Sequence, residues 1–323
     1  MTENEGHSAN PLVTVVITTY DRPEFLQKAV DTVTAQRYDP IELIVVDDHS
    51  PTPADDVLND RDPDFERFEI HRHAENQGAN AARNTGIEVA SGEYIAFLDD
   101  DDRWDPEKIA TQVNAFQDSG PEVGVVYTGR KVVDDDGGVT RVWAPDQPDG
   151  DMTKALLCRN VVGTQSSVMV RSDIAKETPF DETIPRWADL EWYVAASTKC
   201  EFAAVDEPLV IYDRRAHNRI SDDYEVLEES YELFIEKYRD LAASYGPLFE
   251  RKMLAWSAYR VGNASLNARY YDMARRYFFR ALALYPFEPT FLIYAATTVG
   301  GRTTHRISQH IKRILPHRLV PIS

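Results

Sequence analysis

The sequence contains only two cysteines, Cys158 and Cys200, in 323 residues. A chain of this length can bury its own core without a disulfide, so we expect both thiols to be reduced and buried. The sequence also lacks any run of about 18 apolar residues, and its N-terminus is polar, which predicts neither a spanning helix nor a signal peptide. We therefore expect a cytoplasmic protein, or at most one on the inner surface of the cell membrane.

Lysine is also scarce, since it supplies 9 of the 35 basic residues and arginine supplies the other 26. The 54 acidic residues leave a formal charge of -19, which repels nucleic acid over most of the surface. We therefore expect no nucleic-acid partner. An acid-rich, lysine-poor composition is typical of proteins from high-salt cytoplasm, and an ordinary acidic enzyme is the alternative that composition leaves open.

Positive charge is concentrated after Glu288, where 35 consecutive residues include no acidic one. A basic, partly apolar tail suits an anionic membrane surface, where each basic residue adds on the order of 1 kcal/mol to binding. Packing of this tail against the acidic remainder of the chain is the alternative. The basic residues of the tail are Arg302, Arg306, Lys312, Arg313 and Arg318.

The first third of the chain alternates strand and helix patterns. Residues 12–18, 42–46 and 93–98 are nearly continuous apolar runs, as expected for parallel strands buried on both faces. Pro23 opens a segment with apolar residues at helical spacing, and Asp105 with Pro106 predicts the cap of a later helix that continues to Phe116. This alternation predicts an α/β fold with a mostly parallel sheet and helices on both faces.

Beyond residue 120 the pattern changes. Short strands and loops are indicated up to residue 213, and a mainly helical region begins at residue 224. Within it, residues 271–286 resemble the second helix of a tetratricopeptide repeat, but a single unit is not an array, since about three are needed for stability. We expect a disordered N-terminus over residues 1–10, an α/β domain over 11–222 and a helical region with a basic tail over 223–323.

Polar residues collect where the predicted strands end. Thr19 and Asp21 follow the first strand, Asp48 follows the second, and four consecutive aspartates, residues 99–102, follow a later one. Ligands of parallel α/β sheets bind beyond the carboxyl ends of the strands, so we expect the functional site there. Neighbouring carboxylates raise one another's pKa unless a cation lies among them.

A hard divalent cation, Mg²⁺ or Mn²⁺, is the natural occupant of the aspartate run, since it takes one or two carboxylates and completes its shell with phosphate oxygens and water. A calcium loop of the EF-hand type is excluded because its sixth position requires glycine and is Trp104 here. A solvated acidic loop is the remaining alternative.

Five short polar segments follow one another along the first third of the chain. They are Thr18-Thr19-Tyr20-Asp21-Arg22, Val46-Asp47-Asp48-His49-Ser50, Asn76-Gln77-Gly78, Ala82-Arg83-Asn84, and Phe97-Leu98-Asp99-Asp100-Asp101-Asp102 with Trp104 and Pro106. Taken in this order, the segments resemble family 2 glycosyltransferases of the GT-A fold, over roughly residues 12–220, and haloarchaeal enzymes of protein N-glycosylation in particular.

The resemblance implies a nucleotide-diphosphate sugar donor and assigns roles around it. Asp48 would bind the base, Thr19 and Asp21 would line the nucleoside pocket, and Arg83 would contact the donor. Asp99 and Asp101 would be the metal-binding carboxylates, with Asp101 as the direct ligand. His217 would contact the diphosphate or the metal, and Arg214 and Arg215 beside it are further candidates.

The resemblance also implies where the general base lies. Inversion at an anomeric carbon by one displacement needs a single base and no enzymic nucleophile. The family carries a Glu-Asp pair before an aromatic-rich helix, and residues 187–192 fit that place, although Ala188 stands where glutamate is usual. Asp189 is therefore the expected base and Glu191 the alternate.

The resulting expectation is a metal-dependent inverting enzyme that transfers a hexose or hexuronic acid to a lipid-linked glycan. A dolichol-phosphate-linked oligosaccharide for S-layer or other protein N-glycosylation is the acceptor that a haloarchaeal context suggests, and surface polysaccharide synthesis is equally consistent. A nucleotidyltransferase would carry a glycine-rich loop after the first strand, and none is present. A non-catalytic module that binds a partner through the C-terminal helices is the other alternative.

Overall fold

The computed structural model describes residues 10–59, 64–133, 138–145, 150–213 and 224–299. Two compact units are distinguished along the chain. The first comprises Met1–Met152, Val161–Glu182 and Ala195–His217, and the second comprises Thr153–Asn160, Thr183–Val194 and Asn218–Ser323. Of the segment predicted to be disordered, residues 1–10, residues 1–9 lie outside the described residues, and so does the basic tail. The predicted domain boundary after residue 222 stays a prediction.

The first unit is built on one nine-stranded sheet. Its strands are β1 (Val13–Thr19), β2 (Ile41–Asp47), β3 (Arg67–Arg72), β4 (Tyr94–Asp99), β5 (Asp102–Trp104), β6 (Val123–Val133), β7 (Val139–Trp143), β8 (Val168–Arg171) and β9 (Glu201–Asp213). Its helices are α1 (Pro23–Thr34), α2 (Ala54–Leu58), α3 (Ala79–Val89), α4 (Lys108–Asp118) and α6 (Ser172–Glu177), with a 3-10 turn at Gln165–Ser167.

The sheet order is β3-β2-β1-β4-β8-β6-β9-β5, and β7 pairs with β6. The strands from β3 to β4 are parallel, as predicted. β9 is also parallel to β6. β8 runs antiparallel to β4 and β6, β7 runs antiparallel to β6, and β5 runs antiparallel to β9. Six of the nine strands therefore run in the same direction, in agreement with the prediction, and the antiparallel strands make the sheet a mixed one.

Both faces of the sheet are covered by helices, as the alternation of side chains along β1 shows. Val13, Val15 and Ile17 lie in one core with α1 and α4. Val16 points to the opposite face, where a Cβ atom on Gly86 of α3 would lie 2.3 Å from Val16 Cγ1. Glycine at position 86 therefore allows α3 to pack closely on the sheet.

The cap predicted for α4 is wrong. The N-cap of this helix is Glu107, and it makes no side-chain capping bond. The Asp105 carboxylate instead accepts a 3.3 Å bond from the Glu107 backbone N–H, while the Asp105 carbonyl accepts one from Lys108. Asp105 thus organises the turn before the helix.

The second unit is mainly helical over its described residues, and its part from residue 224 onward is helical as predicted. It contains α5 (Thr153–Cys158), α7 (Ala188–Ser197) up to Val194, α8 (Tyr224–Ser244), α9 (Pro247–Asn267), α10 (Tyr271–Leu284) and α11 (Pro289–Thr298). Its core is rich in aromatic rings, including Trp256, Tyr259, Phe278 and Phe291. None of the helices within the described residues is long and apolar enough to cross a membrane.

Both thiols are free in the structure. Cys158 is buried in the second unit, as predicted, and Cys200 is only half-buried in the first.

Candidate functional site

The parallel strands bring the predicted donor-site residues to one edge of the sheet. Thr19 at the end of β1 is in register with Asp47 at the end of β2, and Thr18 is in register with Asp99 at the end of β4. The Asp48 backbone N–H donates to the Thr19 carbonyl at 2.9 Å, so the first residue beyond β2 is fixed to β1. Thr19, Asp48 and Asp99 therefore lie together at the carboxyl edge.

The four consecutive aspartates, residues 99–102, alternate between partly exposed and buried side chains. Asp99 and Asp101 expose 26% and 27% of their side chains. Asp100 and Asp102 are buried, with 5% and 1% of each residue exposed. The two exposed carboxylates are the pair that the motif assigns to a metal, and the two buried ones are held by the protein itself.

Arg83 of α3 holds the Asp99 carboxylate through a 2.6 Å ion pair between its Nη2 atom and Asp99 Oδ1. The Arg83 guanidinium is nearly buried and lies 5.3 Å from the centre of the Phe180 ring. The Asp99 backbone N–H donates to Ser166 Oγ at 3.1 Å. These contacts fix both the main chain and the side chain of Asp99.

Arg22 in the loop after β1 bridges two of the aspartates. Its Nη1 atom lies 3.1 Å from Asp100 Oδ1 and 3.2 Å from Asp101 Oδ2. Burial raises the pKa of Asp100 to about 6, and the positive charge of Arg22 opposes this shift. Arg22 is part of the sequence motif, but sequence reasoning assigned it no role. Its position directly before Pro23 was the only sequence feature that could have indicated one.

Asp102 lies on β5 and is the most buried of the four. Thr164 Oγ1 donates to its Oδ2 atom at 3.2 Å. Burial raises the pKa of Asp102 well above its ordinary value, and the negative charges of Asp101 and Asp99 add to the shift. Thr164 and Ser166 thus support the aspartate run from the segment before β8, a role that sequence reasoning missed because these residues follow the run by more than 60 positions.

Asp48 is buried and its two carboxylate oxygens accept bonds from a loop. Oδ1 accepts from the Gln77 N–H at 2.8 Å and Oδ2 accepts from the Gly78 N–H at 2.7 Å. The His73 Nδ1 atom lies 2.8 Å from Asp48 Oδ1. A carboxylate has about four lone-pair positions, so these contacts leave capacity for a ligand. Asp48 therefore organises the turn that precedes α3.

Two residues at this edge adopt left-handed backbone conformations without being glycine. Asp21 has φ of 54° and His49 has φ of 69°. The Asp21 backbone N–H donates to Ser50 Oγ at 3.0 Å, which links the loops after β1 and β2. Non-glycine residues in this region cluster at functional sites because the surrounding structure must hold them there. The exposed Asp21 side chain lies on this fixed loop.

The two candidates for the general base lie in the second unit and differ in their surroundings. Asp189 is in the first turn of α7 and is partly exposed. Glu191 is 1% exposed, and its Oε1 atom accepts from Tyr238 Oη at 2.6 Å and pairs with Lys237 Nζ at 2.7 Å. These bonds give Glu191 a structural role. His217, Arg214 and Arg215 lie outside the described residues.

The exposed carboxylates suit a hard cation. Asp99 and Asp101 supply oxygen ligands, which Mg²⁺ and Mn²⁺ prefer, and each lies beside an arginine that offsets its charge. Within the described ranges, no cluster of three or more His, Cys, Asp or Glu side chains is arranged to hold a metal ion. Two protein carboxylates are enough for a cation whose remaining coordination positions are filled by diphosphate oxygens and water.

Comparison with solved structures shows the fold. TarS 1-349 of S. aureus in complex with UDP matches with a TM-score of 0.59 at 16% identity, over 95% of this chain and 93% of that one. The mannosyltransferase PcManGT of Pyrobaculum calidifontis in complex with GDP-Man and Mn²⁺ matches with a TM-score of 0.55 at 16% identity, over 93% and 87%. The fold is that of the GT-A glycosyltransferases.

The sequence comparisons identify the family. The profile described as Glycosyl transferase family 2 matches residues 14–178. Glycosyltransferase AglE of Haloferax volcanii is 30% identical over 188 residues, 57% of this chain and 61% of that protein. The chain belongs to glycosyl transferase family 2, as the resemblance predicted. The matches span 30% to 75% of the lengths of the curated relatives.

Proposed function

We propose that this glycosyltransferase is a metal-dependent inverting enzyme that moves a hexose or hexuronic acid from a nucleotide-diphosphate sugar to a glycan acceptor. The observation that carries the proposal is the alternation within the aspartate run. Asp99 and Asp101 are turned outward at the carboxyl edge of the parallel strands, while Asp100 and Asp102 are buried.

The donor is proposed to bind across the loops after β1, β2 and β4. Thr19 and Asp21 would line the nucleoside pocket, Asp48 would meet the base and Arg83 would contact the donor. The complexes of TarS with UDP and of PcManGT with GDP-Man and Mn²⁺ support a nucleotide-diphosphate sugar. A divalent cation held by Asp99 and Asp101 would neutralise the charge that develops on the departing diphosphate.

The acceptor hydroxyl is proposed to lose its proton to Asp189 as its oxygen attacks the anomeric carbon. One direct displacement inverts that carbon and requires no covalent intermediate on the protein. Asp189 is preferred to Glu191 because it is partly exposed, whereas Glu191 is only 1% exposed. His217 is proposed to contact the diphosphate or the metal.

The acceptor is proposed to be lipid-linked, on the cytoplasmic side of the membrane. The relative from Haloferax volcanii and the acid-rich, lysine-poor composition support a haloarchaeal dolichol-phosphate-linked oligosaccharide for S-layer or other protein N-glycosylation. Surface polysaccharide synthesis is the alternative, which the match to the teichuronic acid glycosyltransferase TuaG of Bacillus subtilis supports, at 33% identity over 127 residues. The basic tail is proposed to approach the membrane.

Titration calorimetry in high salt tests the donor site. UDP and GDP are titrated separately into the full chain, with and without Mn²⁺, and into Asp101→Ala. The matched control is Asp118→Ala, which removes an exposed carboxylate at the end of α4. We expect one nucleotide to bind in a Mn²⁺-dependent way to the wild type and the control, with binding lost in Asp101→Ala.

Failure of both nucleotides to bind folded protein would contradict the proposal and favour the partner-binding module. Equal nucleotide binding with and without Mn²⁺ would contradict the proposed metal dependence. Unchanged binding by Asp101→Ala would show that this carboxylate is not a ligand.

A further inference from the structure

The last described helix, α11, presents an apolar face to solvent. Leu292, Ala296 and Val299 are exposed, and their spacing of four and three residues places them on one side of the helix and its end. The opposite side is buried in the core of the second unit. The helix contains no charged residue.

The exposure of this face is high for such side chains. Among the ten large apolar side chains exposed within the described residues, the three most exposed are Phe287 at 72%, Val299 at 63% and Leu292 at 59%. Single exposed apolar residues are ordinary, but these three lie within 13 residues of sequence, at and beside one helix. We define Phe287, Leu292, Ala296 and Val299 as the outer apolar face.

Cations lie beside the start of this face. Arg251 of α9 donates from Nε to the Leu284 carbonyl at 3.0 Å, and Lys252 Nζ lies 6.0 Å from the centre of the Tyr285 ring. The Tyr285 ring packs edge-on against Phe287 with centres 5.4 Å apart. Positive side chains and an exposed aromatic ring therefore occupy one end of the outer apolar face.

The sequence that forms and follows α11 contains little negative charge. Glu288 directly precedes α11, and its carboxylate accepts a 3.0 Å bond from Thr290 Oγ1. After Glu288, the remaining 35 residues contain five Lys or Arg residues and no Asp or Glu. In a chain of charge -19, this end is the exception.

We propose that the outer apolar face rests on an anionic lipid bilayer. Phe287, Leu292 and Val299 enter the boundary between headgroups and acyl chains, and Arg251 and Lys252 meet lipid phosphates. A helix of 10 residues is about 15 Å long, so α11 lies in the plane of the surface and does not span it. A second copy of this chain is a poorer occupant, because two bodies of charge -19 repel each other.

The apolar face and the cations respond differently to salt. The Debye length falls from about 10 Å at 0.1 M to about 3 Å at 1 M, so attraction between exposed cations and headgroups weakens. Burial of apolar area persists at high ionic strength. Binding at 1 M salt therefore depends mainly on Phe287, Leu292 and Val299.

Vesicle flotation of the full chain tests the proposal. Vesicles of equal parts phosphatidylglycerol and phosphatidylcholine are compared with pure phosphatidylcholine, at 0.1 M and 1 M salt. The test variant is F287A/L292A/V299A. The matched control is V139A/V142A on β7, which removes two valines exposed at 56% and 57% in the other unit.

We expect the wild type and the control to float with anionic vesicles, and the test variant to bind about tenfold or more weakly at both salt concentrations. Leu292→Asp is the second variant, since a charge at an exposed position leaves folding intact and opposes entry into the bilayer. Circular dichroism checks the fold of each variant.

Three results would overturn the proposal. These are wild-type protein that does not float with anionic vesicles, variants that float like the wild type, and a dimer in light scattering that the test variant loses. Nucleotide titration of the same preparations separates this outcome from failure of the donor site, because the outer apolar face takes no part in binding UDP or GDP.

Discussion

The hydroxyl of Thr19 donates a 2.7 Å hydrogen bond to the Asp100 carboxylate. This bond joins the end of β1 to the loop after β4, across 81 positions of sequence. The bond holds the Asp100 side chain in the interior, and the side chains of its neighbours Asp99 and Asp101 lie on the more exposed side. The arrangement of the aspartate run therefore depends on a residue of a different strand.

Replacing Thr19 by valine keeps the shape of the side chain and removes this hydrogen bond. We expect a loss of about 1–3 kcal/mol in the free energy of unfolding, because a buried carboxylate loses a donor. Denaturant titration measures it. Thr19→Ser retains the hydroxyl and is the control, and equal stability of the valine variant and the wild type would refute the structural role.

Gly86→Ala tests the close packing of α3 on β1. The new Cβ would lie 2.3 Å from Val16 Cγ1, so we expect overpacking to cost about 1–3 kcal/mol of stability. Val16→Ala removes the obstructing methyl groups. Thermal and denaturant unfolding of both single variants and the double variant should show that the double variant is more stable than the sum of its parts. Strict additivity would argue against the contact.

Glu42, a buried residue at the start of β2, links the stability of the fold to pH. Burial raises the pKa of Glu42, but hydrogen bonds from Ser91, Thr14 and Arg67 outweigh it and leave the pKa below its ordinary value of 4.5. A depressed folded-state pKa means that the ionised form stabilises the fold. This contribution is present above pH 4.5 and is lost as the pH falls through the lower, folded-state value.

We therefore expect Glu42→Gln to lose about 3 kcal/mol of stability at pH 7 and to approach the wild type in acid. Urea unfolding over a pH series measures the difference. Glu66→Gln changes an exposed glutamate in the same unit and should have little effect at any pH. A difference that does not depend on pH would contradict the account.

Asp48→Asn tests the turn before α3. An amide offers one acceptor oxygen where the carboxylate has two, so the bond from the Gln77 or the Gly78 N–H is lost. We expect faster hydrogen exchange over residues 73–82 and a loss of about 1–3 kcal/mol of stability. Nucleotide affinity should fall about tenfold, since each 1.4 kcal/mol is a factor of ten. Unchanged exchange would show that the turn holds without the carboxylate.

Asp189→Asn and Glu191→Gln separate catalysis from folding in α7. On the proposed function, Asp189→Asn should lower kcat by about 100-fold or more while unfolding stays within about 0.5 kcal/mol of the wild type. Glu191→Gln should destabilise by about 3 kcal/mol, because its buried carboxylate pairs with Lys237. Donor turnover measures the first effect and denaturant unfolding the second. A large loss of kcat in a stable Glu191→Gln variant, with full activity in Asp189→Asn, would make Glu191 the base.

The elements around the candidate donor site could be predicted because their sequence patterns are local. The runs that form β1, β2 and β4 are continuous and apolar, and each ends at a polar cluster, so strand ends were placed within about two residues. The convergence of Thr19, Asp48 and Asp99 then followed from parallel topology. A short, continuous apolar run is typical of a parallel strand that is buried on both faces of its sheet.

β9 was missed because its stability comes from distant pairing. Its sequence is interrupted by Asp206, Glu207 and Pro208, and the register with β6 shifts near this point. The bonds from Arg22 to Asp100 and from Thr164 to Asp102 were missed for a similar reason. They join segments that the sequence separates by 78 and 62 positions.

Because buried and partly exposed side chains alternate along residues 99–102, neighbouring positions should differ in how a substitution affects protein abundance. Replacement of Asp100 or Asp102 disturbs buried contacts and should reduce the amount of folded protein. Replacement of Asp101 changes a side chain that is a quarter exposed and should leave protein abundance nearly intact. Replacement of Asp99 also removes the ion-pair partner of the nearly buried Arg83 and should reduce abundance. In a saturation library scored for both abundance and activity, full-abundance inactive alleles should therefore concentrate at Asp101.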